Sequence, residues 1–340
     1  MENPSEDRII KDRIEKLEKI KSLNIDPYPS RWDSERKSIG EIVDLFIGSE
    51  ESGKNISTEI FSISGRIMAK RGMGKVVFFD LKDQTGKIQL HYKDEENDIS
   101  KEFLDLLDIG DIIGVDGVIF RTRRGEITLD LKKIVLLTKS IRPLPDKWSG
   151  LKDNEIRYRQ RYLDLISNDE SKEIAIKRSK IVSSVRNFMN NRGFLEVETP
   201  ILVDIPAGGR AIPFETFHNT LDKNLFLRIA TELHLKKLIV GGIEKVYEIG
   251  RLFRNEGIDH DHNPEFTTME SYESYEDYNT VMKMVEDLVS FVAQEVNGTT
   301  KIKISEEKHI DLAPPWDRID LRDTIIKNTG IDFLEFKTSD

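Results

Sequence analysis

The chain has 340 residues, a net charge of −10 and no cysteine. This length allows two domains that each bury a core, and 38% hydrophobic with 34% charged residues is typical of a folded, strongly charged protein. The missing cysteines exclude a disulfide framework and a thiolate zinc site. Because the first residues are highly charged and no apolar run approaches about 20 residues, we expect a cytoplasmic protein without a membrane partner.

Apolar residues at helical spacing predict a helix over residues 5–22, which Pro27 and Pro29 stop. From about residue 58 to 138, short strand-like runs follow one another, with a helical FLDLL between the third and the fourth. The five runs are FSISGRIM, KVVFFDLKD, KIQLHY, IIGVDGVIF and EITLDL. This order predicts a small Greek-key barrel of the OB type. We therefore expect a helical extension over 1–57 and an OB-fold domain over 58–140.

The proline-punctuated segment RPLPDK predicts a linker, placed at 141–165. A third domain is expected over 166–340. Its predicted elements are a long helix ended by Gly193, the strand-like FLEVETPIL, strands at Leu225–Ile229 and Val246–Ile249 around a short helix, and a helix over 277–296. Because these strands are too far apart for βαβ units, the pattern favours an α+β fold with an antiparallel sheet and helices on one side.

The stretch FRNEGIDHDHNPEFTTMESY, Phe253 to Tyr272, concentrates charge between two strand-like segments. Side chains two apart on a strand share a face, so Arg254 and Glu256 are expected on one side. On the return strand Phe266, Thr268, Glu270 and Tyr272 are expected to share a face. Such charge on a sheet is costly unless a ligand satisfies it, although a solvated face laced with ion pairs would give the same pattern.

The motifs decide between these interpretations. FRNEGIDHDHNPEFTTME resembles motif 2 of the class II aminoacyl-tRNA synthetases, and RGFLEVETPIL resembles motif 1, their dimer-interface element. RPLPDKWSGL, EIRYRQRYLDL, GGRAIPFETFHN, LRIATELHLKKLIVGG and VYEIGRLFRNEG are similar to the lysyl-tRNA synthetase family across nearly the whole chain. The resemblance implies an OB-fold barrel followed by a class II catalytic domain, and an enzyme that joins L-lysine to tRNA(Lys) with ATP and Mg²⁺.

The resemblance also assigns roles to residues. It implies that Arg254 is catalytic, meeting the charge that develops on phosphate oxygens with a planar fork of donors. The implied ATP-binding residues are Arg254, Glu256, His262, Asn263 and Phe266. The implied lysine-binding residues are Gly208, Glu232, Arg254, Glu270 and Tyr272. A homodimer is implied, with Gly193, Phe194 and Pro200 at its interface, and no metal ligand is expected in this portion.

The barrel sequence is polarised in charge. Residues 60–92 carry six basic against two acidic residues, 120–142 carry seven against two, and 93–108 carry seven acidic against two basic. Basic strands reconcile an anionic RNA partner with an acidic chain. The resemblance implies that Phe78 and Gln89 stack on and hydrogen-bond an anticodon base, with Arg66 and Glu126 as neighbours. By its neighbours alone, Phe78 would be expected in the core.

Two patterns are discounted. GMGK, Gly72 to Lys75, lacks the spacing of a phosphate-binding loop, so a hairpin turn is expected there. The alternation of Asp259, His260, Asp261 and His262 has no matching distant ligand pair, so a metal site is disfavoured.

The glycine-rich third motif of class II synthetases is not found before Asp340. We therefore expect the chain to be an N-terminal portion, truncated at the C-terminal end of its catalytic domain, whose own activity is open. Two alternatives also remain open: an aspartyl- or asparaginyl-type class II synthetase, and a non-catalytic fragment that binds the tRNA anticodon.

Overall fold

A computed structural model describes residues 4–54, 56, 58–73, 76–93, 100–145, 151, 153–259 and 261–335. The chain forms two units, Met1–Asp169, here called the barrel unit, and Glu170–Asp340, here called the sheet unit. None of the helices in the described ranges is long and apolar enough to cross a membrane. Parts of two predicted features, the hairpin turn at Gly72 to Lys75 and the linker at 141–165, lie outside the described residues.

The barrel unit contains both predicted and unpredicted elements. In chain order they are α1 (Pro4–Ser22), α2 (Ile39–Ser52), β1 (Ile60–Met73), β2 (Val76–Lys82), β3 (Lys87–Lys93), α3 (Lys101–Leu106), β4 (Ile112–Arg121), β5 (Ile127–Thr138), α4 (Asn154–Arg159) and α5 (Arg161–Ser167). The five predicted strands and the helix between the third and fourth are confirmed. Strands β1 to β5 close into a barrel in the order β1-β2-β3-β5-β4.

The core of this unit lies inside the barrel and extends beneath the N-terminal helices. Phe79, Leu81 and Leu90 point inward and are fully buried, because alternate residues of a strand face opposite sides. Ile20 of α1 and Ile42 of α2 belong to the same cluster. Residues 1–57, expected as a separate extension, therefore contribute side chains to the barrel's own core.

Helix α2 was not predicted, although the sequence carries its start signal. The Ser38 hydroxyl accepts the Glu41 N–H, and the Glu41 carboxylate accepts the Ser38 N–H at 2.7 Å. This reciprocal capping box satisfies donors that the first helical turn leaves unpaired. Gly53, with a φ of +67°, ends the helix in the left-handed region that glycine tolerates.

The sheet unit is α+β, as predicted. Its elements are α6 (Asp169–Asn191), β6 (Leu195–Glu196), β7 (Leu202–Val203), β8 (Glu215–His218), β9 (Lys223–Leu227), α7 (Glu232–Val240), β10 (Lys245–Phe253), β11 (Glu265–Glu273), α8 (Tyr278–Asn297), β12 (Lys301–Lys303), β13 (His309–Asp311) and α9 (Leu321–Thr329). The central sheet has the order β11-β10-β6, and a second sheet has the order β7-β9-β8.

Strands β10 and β11 present two different faces. Glu248, Gly250 and Leu252 pair with Glu270, Thr268 and Phe266, so these side chains share one surface, here called the site face. On the opposite face, here called the helix face, Tyr247 packs with Met189 of α6 and Met284 of α8 in a buried cluster. The apolar helix face anchors the sheet and leaves the site face for polar groups.

Strands β10 and β11 are antiparallel, as expected, whereas the two residues of β6 pair in parallel with β10. Two other details of the prediction are wrong. Arg254 and Glu256 were expected on a strand, but β10 ends at Phe253, so both lie in the loop before β11. FLEVETPIL is also not continuous, because strand structure is confined to β6 and β7 on either side of Pro200, which has no N–H for a ladder.

A buried ionic cluster holds α1 against the barrel. Lys139 has no exposed side-chain surface, and its Nζ donates to Asp108 at 2.5 Å and to Asp111 at 2.8 Å. Lys16 of α1 donates to Asp108 at 2.7 Å, and Arg13 donates to three backbone carbonyls nearby. Burial acts to raise the pKa of Asp108, but the bonds from Lys139 and Lys16 outweigh it and hold that pKa below its usual value.

We expect Lys139→Met to destabilise the barrel by about 3–5 kcal/mol, because it leaves buried carboxylates unpaired. Amide hydrogen exchange in β4 and β5 measures this loss for the barrel unit alone. The matched control is Lys132→Met, which removes an exposed partner of Asp130 and should cost less than about 0.5 kcal/mol.

The same cluster makes the stability of the barrel depend on pH. Because the pKa of Asp108 is lower in the folded state, the contribution of Asp108 to the free energy of unfolding is present above about pH 4 and is lost as the pH falls further.

Candidate functional site

The residues assigned to ATP surround one cavity. Arg254, Glu256, His262, Asn263 and Phe266 line a space of about 220 Å³, together with Gly257 and Asp261. The Arg254 guanidinium lies 5.3 Å from the centre of the Phe266 ring. Its Nε is buried and has no hydrogen-bond partner. A buried donor without an acceptor is costly, so this geometry suits an anionic ligand that supplies one.

The loop that carries these groups is fixed by its own hydrogen bonds. The Arg254 N–H donates to the Pro264 carbonyl at 2.9 Å. The Asp259 carboxylate accepts the N–H groups of Asp261 and His262, each at 2.8 Å, and lies 2.8 Å from His262 Nδ1. The backbone bond from Asp261, followed by the bond with His262, lowers the pKa of Asp259. His262 is therefore held at the cavity by its own loop.

This loop geometry does not support a metal site at Asp259 to His262. Asp259 and His262 pair with each other, and His260 lies outside the described residues. Within the described ranges, no group of three histidine or acidic side chains could hold a metal ion.

The residues assigned to lysine other than Arg254 meet further along the site face. Glu270 lies four residues from Phe266 on β11, roughly 13 Å along the strand. Its carboxylate accepts long hydrogen bonds from the Thr231 N–H and the Tyr272 hydroxyl, both at 3.4 Å. The weakness of both bonds leaves Glu270 with capacity to bind a cation.

Gly208 and Glu232 complete this acidic end. Gly208 has a φ of +93°, and a Cβ at that position would lie 2.6 Å from the Ala230 Cβ and 3.4 Å from the Glu232 Cβ. Glycine is required there for both conformation and space. The Glu232 carboxylate accepts a bond from Lys236 at 2.5 Å, in an exposed pair one helical turn apart.

The pKa of Tyr272 reflects the negative charge at the acidic end. Burial, followed by the negative charges of Glu270 and Glu232, raises the pKa of Tyr272 to about 12. The phenol therefore stays protonated and can donate to Glu270 at neutral pH.

The sequence analysis missed a buried pair beneath this end. Arg228 Nη1 lies 2.5 Å from Glu248 Oε1, and Thr199 donates to Glu248 Oε2 at 2.6 Å. All three residues lie inside quoted family motifs, but Arg228 and Glu248 are 20 positions apart along the chain and Thr199 is further away still. Only the strand register, which sets Glu248 opposite Glu270, could have drawn attention to them.

On the barrel, Phe78 lies on the outer face and is half-buried, so the expectation of a core position from its neighbours is wrong. Its ring lies 5.3 Å from His91, which lies 6.0 Å from Phe120. Gln89 donates to Glu126 at 3.3 Å and accepts from Thr128 at 3.2 Å. Phe78, Gln89 and Glu126 are thus brought onto one aromatic and polar surface, to which His91 and Phe120 were unforeseen additions.

Arg66 does not join this surface. Its guanidinium donates to the Gly110 carbonyl at 2.7 Å, and burial lowers the pKa of Arg66. The register places Arg71, not Arg66, opposite Phe78. Arg71 also pairs with Asp80 at 2.7 Å. Arg66 pairs instead with Lys82, four residues further along β2, and a β-bulge between Ile67 and Ala69 shifts the later register by one residue, so that Arg71 rather than Lys70 lies opposite Phe78.

The three proposed interface residues differ in exposure. Gly193, with a φ of +81°, follows α6 and is exposed, and Pro200 is exposed as well. Phe194 is only 5% exposed and packs with Met189 and Tyr247, so its side chain has almost no surface to offer a partner. Phe194 is therefore a core residue of its own unit.

Comparison with known protein families matches both units. The family described as tRNA synthetases class II (D, K and N) matches residues 153–338, and the OB-fold nucleic acid binding domain matches residues 61–137. The chain belongs to the class II tRNA synthetases. The resemblance and the predicted fold class are both confirmed.

Three individual relatives of this class II synthetase chain are named lysine–tRNA ligase. The protein of Thermoanaerobacter sp. (strain X514) is 50% identical over 331 residues, which cover 97% of this chain and 64% of the relative. Those of Dehalococcoides mccartyi and Staphylococcus aureus (strain MW2) are each 48% identical, with 96% of this chain and 66% of the relative covered. The chain thus spans 64–66% of the length of these curated relatives.

We expect Glu270→Gln to lower the pKa of Tyr272 below its value of about 12, because one of the negative charges that disfavour tyrosinate is removed. The pKa should stay above 10, since burial is unchanged. Ultraviolet titration of tyrosinate, taken as the difference between each protein and its Tyr272→Phe derivative, measures this. Glu265→Gln, an exposed change at the other end of β11, is the control and should leave the pKa unchanged.

Proposed function

We propose that the protein carrying this chain is a lysine–tRNA ligase, which activates L-lysine with ATP and transfers it to tRNA(Lys). The observation that carries the proposal is the arrangement on the site face. An arginine cavity lies at the Phe266 end of β11, and carboxylates collect at the Glu270 end. The similarity to lysine–tRNA ligases supports it.

In the proposed activation step, a carboxylate oxygen of lysine attacks the α-phosphorus of ATP. The bond from that phosphorus to the bridging oxygen breaks, which gives lysyl-adenylate and pyrophosphate. Arg254 stabilises the negative charge that develops on the α-phosphate oxygens, with its unpartnered Nε as one donor. Phe266 offers a ring face to adenine, and Glu256, His262 and Asn263 close the cavity around the nucleotide.

Selection of lysine follows from charge. Glu232 and Glu270 provide two carboxylates for ammonium groups, and Tyr272 and Gly208 border them. A neutral isostere would leave Glu270 without a cationic partner, and the carboxylate side chain of aspartate would be repelled. This acidity favours lysine over aspartate and asparagine, the other two amino acids in the D, K and N family.

We propose that Mg²⁺ binds together with ATP. The described residues offer no cage of three acidic or histidine ligands, and Mg²⁺ is commonly held by substrate phosphates with one or two carboxylates. When bound, it would neutralise charge on the leaving pyrophosphate.

For tRNA, we propose that the outer barrel surface binds anticodon bases. Phe78 provides a ring for stacking, and Gln89 and Glu126 provide hydrogen-bonding groups beside it. In the second step of the proposed reaction, a terminal hydroxyl of tRNA attacks the lysyl carbonyl of the adenylate, and AMP leaves.

Assembly and organisation are part of the proposal. We propose a cytoplasmic homodimer that pairs through motif 1, where Leu195 (52% exposed) and Leu202 (48%) present apolar surface beside Gly193 and Pro200. Exposed apolar side chains of this kind are typical of a surface covered by a partner.

We also propose four segments along the chain: a helical extension over 1–57, an OB-fold domain over 58–140, a linker over 141–165 and a catalytic domain over 166–340.

Lysine-dependent ATP–pyrophosphate exchange by the whole protein tests the function. Arg254→Ala should lower exchange by at least about 10³-fold, because the developing phosphate charge loses its main donor. RNA binding should be unchanged. Arg251→Ala, an exposed change on the helix face of β10, should retain activity within about twofold. Exchange that depends on aspartate would reject the proposal, and RNA binding with no exchange would favour a binding module.

The barrel surface is tested by RNA affinity. We expect Phe78→Ala to weaken binding of a single-stranded anticodon-loop RNA by about 5- to 100-fold, since a stacked base contributes roughly 1–3 kcal/mol. Fluorescence anisotropy of the labelled RNA measures the dissociation constant. The control is Ile60→Ala, which removes an exposed apolar side chain of β1 and should change nothing. Equal losses in both variants would contradict a role specific to Phe78.

A further inference from the structure

A buried ion pair lies beneath the acidic end of the site face. Arg228 and Glu248 are each 3% exposed, and their charged atoms are 2.5 Å apart. Thr199 donates to the second oxygen of Glu248, so both carboxylate oxygens are satisfied. Buried pairs of this kind often contribute little net stability, because desolvation offsets their attraction. Its location therefore suggests a role beyond holding the fold together.

The register makes Glu248 the direct neighbour of Glu270. The two residues are paired across β10 and β11, where opposite Cα atoms lie roughly 4.5–5.5 Å apart and side chains share a face. Two carboxylates in this position repel each other. Arg228 neutralises Glu248. Within the described part of the chain, no cation lies within ion-pair distance of Glu270.

Further contacts fix where the Arg228 charge lies. Its Nε donates to the Arg251 carbonyl at 2.9 Å, and its Nη1 donates to the Thr199 carbonyl at 3.0 Å. A Cβ at Gly250 would lie 2.3 Å from Arg228 Nη2, so the missing side chain provides the space in which the guanidinium crosses β10. The Arg228 carbonyl also accepts the Phe253 N–H at 3.1 Å, one residue before Arg254.

We infer that Arg228 is a positioning residue that sets the charge preference of the amino-acid end of the site. It cancels the charge of Glu248, so that Glu270 alone of the two facing carboxylates is left to attract an ammonium group. Arg228 does not touch the ligand. The inference rests on the proposed function for the identity of that ligand and adds the residue that confines the attraction for an ammonium group to Glu270.

The test compares lysine with norleucine, which has the same chain length and no side-chain ammonium group. Glu248→Gln leaves the charge of the Arg228 guanidinium uncompensated beneath Glu270, where it opposes the binding of a second cation. We expect this variant to bind lysine at least tenfold more weakly, with less than threefold change for norleucine and for ATP. Equilibrium dialysis with the 340-residue chain measures the three dissociation constants.

The double variant Arg228→Gln with Glu248→Gln separates charge from structure. It removes both charges, so lysine affinity should return to within about threefold of the original, although more contacts are lost than in Glu248→Gln alone. A pair with only a structural role would give the reverse order, with the double variant the weaker binder and ATP affinity reduced in parallel. That order would overturn the inference.

Two further variants complete the design. Arg228→Lys keeps the charge but not the fork of donors, so it should retain lysine affinity within about threefold while its melting temperature falls. It keeps the inference testable if Glu248→Gln does not fold, because a tenfold loss of lysine affinity in folded Arg228→Lys would contradict it. Arg251→Gln, an exposed change on the same strand, is the control and should bind lysine normally.

The outcomes distinguish this inference from the function it builds on. If the unchanged chain binds lysine no better than norleucine, both the proposed ligand and the inference fail. If it prefers lysine but the double variant does not recover, the function stands and the inference alone is rejected.

Discussion

The pairing of β10 with β11 is the constraint on which the site depends. Nine residue pairs fix the register from Lys245 with Glu273 to Phe253 with Glu265. A slip by one residue would turn every side chain of a strand to the opposite face. Glu270 and Phe266 would then enter the cluster around Tyr247, and apolar Met269 would face the ligand. The helix face, buried against α6 and α8, makes such a slip costly and so protects the arrangement of the polar face.

In the sheet unit, short strands and single residues connect segments that are far apart in the sequence. Strand β6 contributes only two residues, yet it pairs in parallel with β10 and brings the motif 1 segment beside the site. Arg228 connects that segment to β10 through Thr199 and Arg251. The part of the chain proposed to form the subunit interface is therefore in direct contact with the residues under the amino-acid end. A partner bound there would act on the same backbone that positions Glu248.

Much of this architecture could be predicted because its signals are local. Periodicity and turn residues located the barrel strands, α1, α6 and α8, and the motif 2 sequence located the groups that line the Arg254 cavity. What could not be predicted depends on contacts far apart in sequence. The bulge after Ile67 decides that Arg71 rather than Lys70 lies opposite Phe78, and the end of β10 at Phe253 puts Arg254 in a loop. The Arg228–Glu248 pair appears only once β9 and β10 are assembled.

The closure of the barrel has a consequence for how the proposed RNA-binding surface forms. Gln89 and Thr128 meet only because β3 lies parallel to β5, a pairing of residues 39 positions apart in the chain. Local hairpins such as β1 with β2 can form early in folding, whereas contacts between distant segments form late. The surface therefore does not exist in a partly folded or nicked barrel. An RNA that binds this surface would stabilise the closed barrel by mass action. Only chains whose barrel has fully closed would then bind the RNA.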